Sequence, residues 1–551
     1  TFADGADIIT ASAGTSNFRA GVNAGNSIAS GGNYNTVVGD EAGTAITTGD
    51  DNTFIGYASG DATTTAGGNT SVGSSAFSTN TTGADNVAIG EAALLRNTTA
   101  SNNTAVGNNA LRENTTGTEN VAVGAGALTA NTTGSYNHAF GRNAGAAITT
   151  GDTNIAIGNA ALGTATTADG NTAVGHSALS ANTSGSSNVG VGLNVLDANT
   201  TGANNTAVGA ASLGANTTGA NNTAVGLSAL ATNISGNYNT ALGYRALTTT
   251  TAGNNTAVGH DALYLTTTGD ANVAVGVGAL DANTTGANNT GLGWGALGLN
   301  TTGSDNVAIG RDSVRSNTTA SNNVGVGINA LYANTTGGTN TAVGANSLDA
   351  NTTGAANTAL GNAALGTNTT ANANTGIGNN ALLVNTTGAS NSAVGSGALA
   401  ANTTAANNTA VGYNSLTANT TGATLVAVGA SALAANTTAN NNTAVGYLAL
   451  GANTTGAGHV AVGTNALDAN TTATNNVGIG MNAAGGTTTG SNNVAVGTNS
   501  LLQNTTGAQN IAIGAYALNA NTTATYNTAI GYSAGTANTT GGDNVAVGGL
   551  S

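Results

Sequence analysis

The 551-residue chain has no cysteine and no proline, and only 5% of its residues are charged. Without cysteine it can form neither a disulfide nor a thiolate metal site, so something other than covalent cross-links must stabilise it. The absence of cysteine fits an extracellular protein that is stabilised in another way. No apolar run approaches the ~20 residues of a membrane helix, so the sequence predicts no membrane insertion.

Positive charge is especially scarce. The 7 basic residues are all arginines and lie scattered, against 22 acidic residues, for a net charge of −15. Binding to nucleic-acid phosphates or to anionic lipids needs clustered cations. The sequence therefore predicts no nucleic-acid partner.

What the sequence has instead is a short repeat. A glycine ends each Ala-Val-Gly-like triplet, and these marker glycines run from Gly21 to Gly548 at intervals of 17 residues. One interval is 18 residues (Gly21 to Gly39) and one is 16 (Gly243 to Gly259). The chain is therefore about 32 copies of one unit. We number each copy from its marker glycine, which is position 0.

Positions −3 to −1 have the pattern of a strand. From Gly39 onward, position −1 is Val, Ile, Leu or Phe, and position −3 is β-branched in every copy except those of His138 and Ser392. Position −2 is Ala or Gly after the first three regular copies. Alternate residues share a strand face, so large and small side chains lie on opposite faces. Position +4 is usually Leu, and Asn-Thr-Thr-Gly corners usually follow at +7 to +10.

This pattern predicts an all-β fold, a parallel β-solenoid (β-roll) of about 32 coils stacked ~4.8 Å apart. The absence of proline agrees, because backbone N–H groups would bond to the neighbouring coil. Val225 and Leu242, one period apart, would then be vertical neighbours. Corner asparagines such as Asn114 and Asn131 would stack as hydrogen-bonded ladders, or would simply tolerate the turn.

Two segments follow from the pattern. Residues 21–551 are predicted to form one continuous solenoid. Residues 1–20 lack the full repeat phrase, and we expect them to cap the first coil, to pair with another molecule or to join an upstream domain.

The first regular copies differ from the later ones. Position −2 holds Val37, Phe54 and Ser71, while position +4 holds Gly43 and Gly60 instead of Leu. We expect the large side chain to have moved from one interior site to the other. In two coils with Gly at +4, an isoleucine also replaces the corner asparagine (Ile46, Ile148).

Each coil offers only two or three large apolar side chains, while ordering costs about 1–2 kcal/mol per residue. We therefore expect an oligomer. The large side chains would line the coil, and the smooth face at −2 would pack against another chain. A lone solenoid whose small face is wetted is the alternative.

Other positions predict exposed sites. Position +1 ranges from Tyr57 and Trp294 to Arg142 and His176, which indicates an open corner. Tyrosines also recur at −5 (Tyr136) and +5. These rings either contact carbohydrate or another surface, or only reflect tolerance of solvent-facing positions.

No pattern of catalysis is present. His138, His176, His260 and His459 are isolated and show no metal-ligand spacing. Glycine clusters lack the lysine of a phosphate loop. We therefore predict a protein that is not an enzyme, without catalytic, cofactor-binding or metal-binding residues.

Two further uses of the corner residues remain open. Asn-x-Thr sequons in almost every coil either carry glycans or are only corner residues. An ice-binding threonine array is disfavoured, because adjacent threonines in a strand point in opposite directions.

The phrase "NNTAVGYNSLTANTTGA" (407–423) resembles the Asn-Thr-Ala-x-Gly-x-x-Ala-Leu repeats of phage tail fibres and bacterial surface proteins. "VAIGEAA" (87–93) is more distantly similar to the head repeats of trimeric autotransporter adhesins. The resemblance covers about residues 21–551 and implies a left-handed β-roll assembled as a homotrimer. The repeat here is longer than is usual in the adhesin heads.

Together these observations predict an extracellular structural fibre or shaft, projecting or adhesive, on a cell surface, in a secreted filament or on a virion. Its expected partners are copies of itself and a cell-surface or glycan receptor. The alternative is a filament subunit that joins end to end through its termini.

Overall fold

The computed structural model describes residues 8–9 and 13–550, and its regular secondary structure consists of short strands. The strands, in chain order, are β1 Ile8–Ile9, β2 Phe18–Ala20, β3 Thr36–Val38, β4 Thr53–Ile55, β5 Thr70–Val72, β6 Val87–Ile89, β7 Thr104–Val106, β8 Val121–Val123, β9 His138–Phe140, β10 Ile155–Ile157, β11 Thr172–Val174, β12 Val189–Val191, β13 Thr206–Val208, β14 Thr223–Val225, β15 Thr240–Leu242, β16 Thr256–Val258, β17 Val273–Val275, β18 Thr290–Leu292, β19 Val307–Ile309, β20 Val324–Val326, β21 Thr341–Val343, β22 Thr358–Leu360, β23 Thr375–Ile377, β24 Ser392–Val394, β25 Thr409–Val411, β26 Val426–Val428, β27 Thr443–Val445, β28 Val460–Val462, β29 Val477–Ile479, β30 Val494–Val496, β31 Ile511–Ile513, β32 Thr528–Ile530 and β33 Val545–Val547. Among the described residues, no helix has the length and apolar character needed to cross a membrane.

Strands one period apart pair in parallel. The chain forms two compact units, one up to Asn272 and the other from Val273. In the first unit β2 to β16 pair in sequence order, and in the second β17 to β33 do so. Val225 lies opposite Leu242 in the ladder between β14 and β15. The predicted all-β solenoid with a 17-residue period is therefore confirmed.

The first strand departs from this rule. β1 pairs antiparallel with β2, with Ile8 opposite Ala20 and Ile9 opposite Arg19. One edge of β2 is thus occupied by a segment of the same chain. Residues 1–7 and 10–12 lie outside the described residues, and the role of residues 1–20 as a cap or joint stays a prediction.

Backbone hydrogen bonds run from coil to coil in both directions. The N–H of Gly226 donates to the carbonyl oxygen of Val208 in the preceding coil (2.8 Å), and that of Leu230 donates to Ala246 in the next coil (3.0 Å). Proline could not make such bonds, which explains its absence.

The turn after each strand uses left-handed backbone. In one copy φ is +133° at Gly226, +56° at Ser228 and +52° at Leu230. Leucine rarely adopts this conformation. We infer that burial of the side chain at +4 offsets the cost of the left-handed backbone at that residue.

The strand faces the interior with its small side chains. Position −2, for example Ala224, is buried, while positions −3 and −1 point outward. The expectation that the small face lies outside is therefore wrong. The interior is narrow, because a Cβ added at Gly190 (−2) would lie 3.4 Å from Leu179 Cδ1, at +4 of the preceding coil. The leucine fills the space above the strand and leaves room for only a methyl group.

The first coils solve the same packing problem differently, as the sequence predicts. Phe54 at −2 is fully buried, and a Cβ added at Gly60 would lie 2.7 Å from its Cε2. A Cβ at Gly43 would lie 2.8 Å from Ile46 Cδ1. Phenylalanine and isoleucine thus occupy the volume that leucine fills elsewhere.

This exchange predicts a compensating pair of substitutions. We expect Phe54→Ala to destabilise its coils by about 3–5 kcal/mol, because it leaves a large cavity. Adding Gly60→Leu should recover much of that loss, since it recreates the Ala/Leu pair of later coils. Local hydrogen exchange measures both effects. If the double variant lost as much stability as the two single substitutions together, the two side chains would not occupy the same volume.

Two asparagine ladders run beside the core. At +7, Asn114 Nδ2 donates to Asn97 Oδ1 (2.9 Å), and Asn131 Nδ2 donates to Asn114 Oδ1 (2.9 Å). This ladder confirms the sequence prediction. A second ladder at −4, in which the N–H of Asn103 donates to Asn86 Oδ1 (3.0 Å), has no counterpart in the sequence analysis.

The two ladders meet at one carbonyl. The side-chain amides of Asn103 (3.0 Å) and Asn114 (2.9 Å) both donate to the carbonyl oxygen of Gly117, at position +10. Buried amides are costly unless paired, and in this coil the amides of both ladders are paired within the coil and with a neighbouring coil.

The 16-residue copy keeps this scheme. Asn239 Nδ2 donates to the carbonyl of Ala252 (2.9 Å), the bond that other coils make to +10. The missing residue is therefore at +9, on the surface. β15 and β16 stay in register.

Candidate interaction surface

Two columns of outward-facing side chains, at −3 and −1, form what we call the strip. The strip consists of Val, Ile, Leu and Thr with few exceptions, and none of its residues is Asp, Glu, Lys or Arg. Before the last coil, its most exposed Val, Ile and Leu side chains keep 36–48% of their surface accessible.

The strip is large for a monomer. Fifteen to seventeen strands at ~4.8 Å, each about 10 Å long, give a sheet face of roughly 700–800 Å² in each unit. Threonine occupies about half of the −3 positions on this face. The largest apolar patch on a typical monomer is about 300–600 Å². A standard protein–protein interface buries about 800 Å² per partner and is depleted of charge at its centre.

Aromatic residues flank the strip. Four of the 12 tyrosines lie at −5 and five at +1, where the only tryptophan, Trp294, also lies. Most are well exposed, which confirms the predicted open corner at +1. Aromatic residues are enriched at interfaces.

The four histidines lie at different positions in their coils. His138 is exposed on the strip, and His176 and His260 are exposed at +1. His459 is buried at −4, in the asparagine ladder. The part of the chain that the structure describes contains no group of three or more His, Asp, Glu or Cys side chains suited to a metal ion.

His459 replaces a ladder asparagine in its neutral form. Its Nδ1 accepts from the N–H of Asn476 (3.1 Å), so in the neutral ring Nε2 carries the proton and donates to the carbonyl of Ala473 (2.7 Å). The side-chain amide of Asn470 also lies 2.9 Å from Nε2. Burial lowers the pKa of His459, and these two backbone contacts oppose the shift only in part. A second proton on Nδ1 would face the Asn476 N–H.

This geometry predicts a pH-dependent coil. Below the unfolded pKa of about 6.5, the unfolded segment takes up a proton that the folded coil resists. As the pH falls below 6.5, the free energy of unfolding of this coil should decrease by up to about 1.4 kcal/mol per pH unit. The decrease should stop once the pH reaches the lowered pKa of the folded coil. Hydrogen exchange at the Asn476 amide, corrected for its intrinsic pH dependence, measures this loss. His459→Asn restores the usual ladder residue and should abolish this pH-dependent loss of stability. An unchanged pH response in His459→Asn would show that His459 is not its cause.

The structure separates the two kinds of sequon. Asn114, of the Asn-Thr-Thr type, is buried, and both of its amide hydrogens are used in the ladder. It cannot accept a glycan in the folded coil. Asn102, of the Asn-Asn-Thr type, is exposed at −5. The threonine at +8 is also engaged, since Thr115 Oγ1 donates to the carbonyl of Thr132 (2.9 Å).

The fold defines a β-solenoid repeat protein. No family model matches the sequence, and the search of curated proteins finds no match.

Proposed function

We propose that this protein is an extracellular structural fibre or shaft whose chains associate with one another along the strip. The observation that carries the proposal is a long, solvent-facing surface of Val, Ile, Leu and Thr side chains without Asp, Glu, Lys or Arg. A sheet face that stays in water normally carries polar and charged side chains, and the strip carries no Asp, Glu, Lys or Arg.

The interior of the coil supports the same conclusion. Each regular coil buries little more than two alanines and one leucine, for example Ala224, Ala229 and Leu230. Its valines point outward, so the core is thinner than the sequence suggests. Burying the strip between chains adds about 25 cal/mol for each Å² of apolar surface removed from water.

Of the possible assemblies we propose a homotrimer, because the family resemblance favours it. Three chains with their strips around one axis leave no strip in solvent. No residues are assigned to catalysis, a cofactor or a metal; the shaft provides reach, and adhesion belongs to surfaces outside the strip.

The absence of native cysteine allows a direct test. Val208→Cys introduces one thiol on the strip, and Ile234→Cys introduces one at a comparably exposed site off the strip. A short bis-maleimide should cross-link dilute Val208→Cys chains and leave Ile234→Cys chains single. Equal cross-linking of the two variants, or none in Val208→Cys, would refute the interface.

The second candidate is a filament subunit joined end to end. In its favour, consecutive coils pair in parallel and in register, a pairing that a coil of another chain could also make. Against it, β1 already pairs with one edge of β2. Electron microscopy distinguishes the candidates: discrete rods support the shaft, and long fibres with a regular axial repeat support the filament.

A further inference from the structure

In the second unit, one coil departs from the repeat at several positions together. Arg311, Asp312 and Arg315 are three charged residues within five, in a chain that is 5% charged. Ser313 and Val314 replace the usual Ala and Leu at +3 and +4. The substitutions affect the surface and the core of the same coil.

The core under this coil is rebuilt to fit. Ser313 Oγ donates to the carbonyl of Gly325 (2.9 Å), and a Cβ added at Gly325 would lie 2.5 Å from Val314 Cγ2. Glycine is therefore required at this −2 position. Such coordinated changes are not expected where a surface position merely tolerates variation.

Asp312 of this coil also lines a surface groove between two columns of side chains. It has a volume of about 250 Å³ and is lined by Asp312 and Asn329 at +2 and by Tyr332 and Asp349 at +5. A Cβ added at Gly295, one coil before Asp312, would lie 2.8 Å from Asp312 Oδ1, so glycine leaves room for that carboxylate. The volume suits one small ring better than a drug-sized ligand.

The charges around the groove balance. Arg315 Nη1 lies 2.7 Å from Asp312 Oδ1, and Arg311 Nε lies 3.8 Å from Asp312 Oδ2. Asp349 forms no ion pair among the described residues. With two arginines and two aspartates, the site favours a ligand without net charge.

Asp349 and the aromatic rings supply the chemistry. Burial raises the pKa of Asp349, against hydrogen bonds from its own N–H and that of Ala350 that lower it. Tyr332 is 40% exposed and Trp294 50% exposed, with the Trp294 ring 5.3 Å from the Arg315 guanidinium. A carboxylate, an amide and a phenol offer acceptors and donors for hydroxyl groups, and an aromatic face packs on apolar C–H surface.

We propose that this groove binds a neutral carbohydrate, one uncharged hexose ring of a glycan, with Tyr332 stacked on the ring and Asp349 and Asn329 hydrogen-bonded to its hydroxyls. The groove belongs to one chain and lies outside the strip. The proposal therefore does not rest on chain association.

The first unit contains similar residues in a closed arrangement, which provides a matched control. Arg245 makes two hydrogen bonds to Asp261 (2.8 and 2.7 Å) and lies 5.1 and 4.5 Å from the rings of Tyr244 and Tyr264. Both carboxylate oxygens of Asp261 are therefore engaged by Arg245, whose guanidinium also lies close to both rings.

Calorimetry measures sugar binding directly, and the emission of Trp294, the only tryptophan, reports whether binding occurs near Arg315. The full chain is titrated with maltotriose, cellotriose, mannotriose and galactobiose while Trp294 emission is recorded, with sialyllactose as the charged comparison. We expect a saturable change with at least one neutral sugar and none with sialyllactose. Tyr332→Ala and Asp349→Asn should each weaken binding at least tenfold, while Tyr264→Ala should leave it unchanged.

A second control isolates the carboxylate. Asp197 also lies at +5, beside Gly214, and burial raises its pKa, but no tyrosine lies at +5 in the preceding coil. Asp197→Asn should not change sugar binding. Asp349→Asn preserves the shape of the side chain. It therefore tests the role of the carboxylate in sugar binding even if Tyr332→Ala does not fold. No response to any neutral sugar, a response to sialyllactose alone, or full binding by Asp349→Asn would overturn the proposal.

Discussion

Replacing Gly226 by alanine should separate the coils on either side of it and cost more than about 5 kcal/mol locally. An added Cβ would lie 2.4 Å from the carbonyl oxygen and 2.7 Å from the carbonyl carbon of Gly243, one coil further on. Both contacts are with backbone, so no side chain can move to relieve them. The φ of +133° also disfavours any L-residue. Relief requires breaking several coil-to-coil hydrogen bonds, each with a net contribution of about 1 kcal/mol.

Gly214→Ala is the matched control. Its added Cβ would lie 3.3 Å from the Ala211 carbonyl and would touch no neighbouring coil closer than 3.5 Å. Alanine already occupies the same position one coil later, at Ala231. Hydrogen exchange should show lost protection near Gly226→Ala and native protection in Gly214→Ala. Native protection in both variants would mean that the marker glycines are not stacked on one another.

Placing aspartate on the strip should abolish chain association. Val191 and Leu242 are 37% and 48% exposed and lie three coils apart, so two new carboxylates would not face each other. In a single chain both would remain in water at little cost. Between chains each charge would be buried without a partner, a penalty of several kcal/mol per site. The double variant Val191→Asp/Leu242→Asp is therefore expected to be a folded monomer at concentrations where the native chain is associated.

Ile234→Asp controls for surface charge alone. Ile234 is 50% exposed and lies at +8, off the strip. This variant should associate like the native chain in sedimentation experiments. Equal loss of association in both variants would show that net charge, and not the strip, governs the assembly.

The period determined most of what could be predicted. Because marker glycines recur every 17 residues, equivalent side chains must form columns, and the pairing of Val225 with Leu242 follows. The corner ladder and the exchange between Phe54 and Gly60 also follow, because both compare the same position in successive copies. The ladder involves one column, and the exchange involves two columns whose residues depart from the pattern within the same copy.

The orientation of the strand could not be read in this way. Neither face carries charge, so the pattern alone does not show which one lies inside. The answer depends on the depth of the coil, which Leu179 at +4 sets by covering the strand of the next coil. Burial of the small alanine face follows from that contact.

The −4 ladder and the groove were missed for different reasons. An asparagine before a strand is expected at any turn, so its bonds to other coils leave no separate signal. The groove joins residues 20 positions apart, such as Asp312 with Tyr332, from two different columns. Searching each copy for several coincident departures would have found Arg311, Asp312 and Arg315.

The most direct test of the account is the native mass of the 551-residue chain, measured by sedimentation equilibrium over a range of dilutions. One chain has a mass of 51.9 kDa. Association through the strip predicts three times that mass, persisting on dilution and falling to one chain mass in Val191→Asp/Leu242→Asp. A native chain that sediments as a folded 51.9 kDa monomer at all concentrations would show that the strip faces water and that the proposed shaft is wrong.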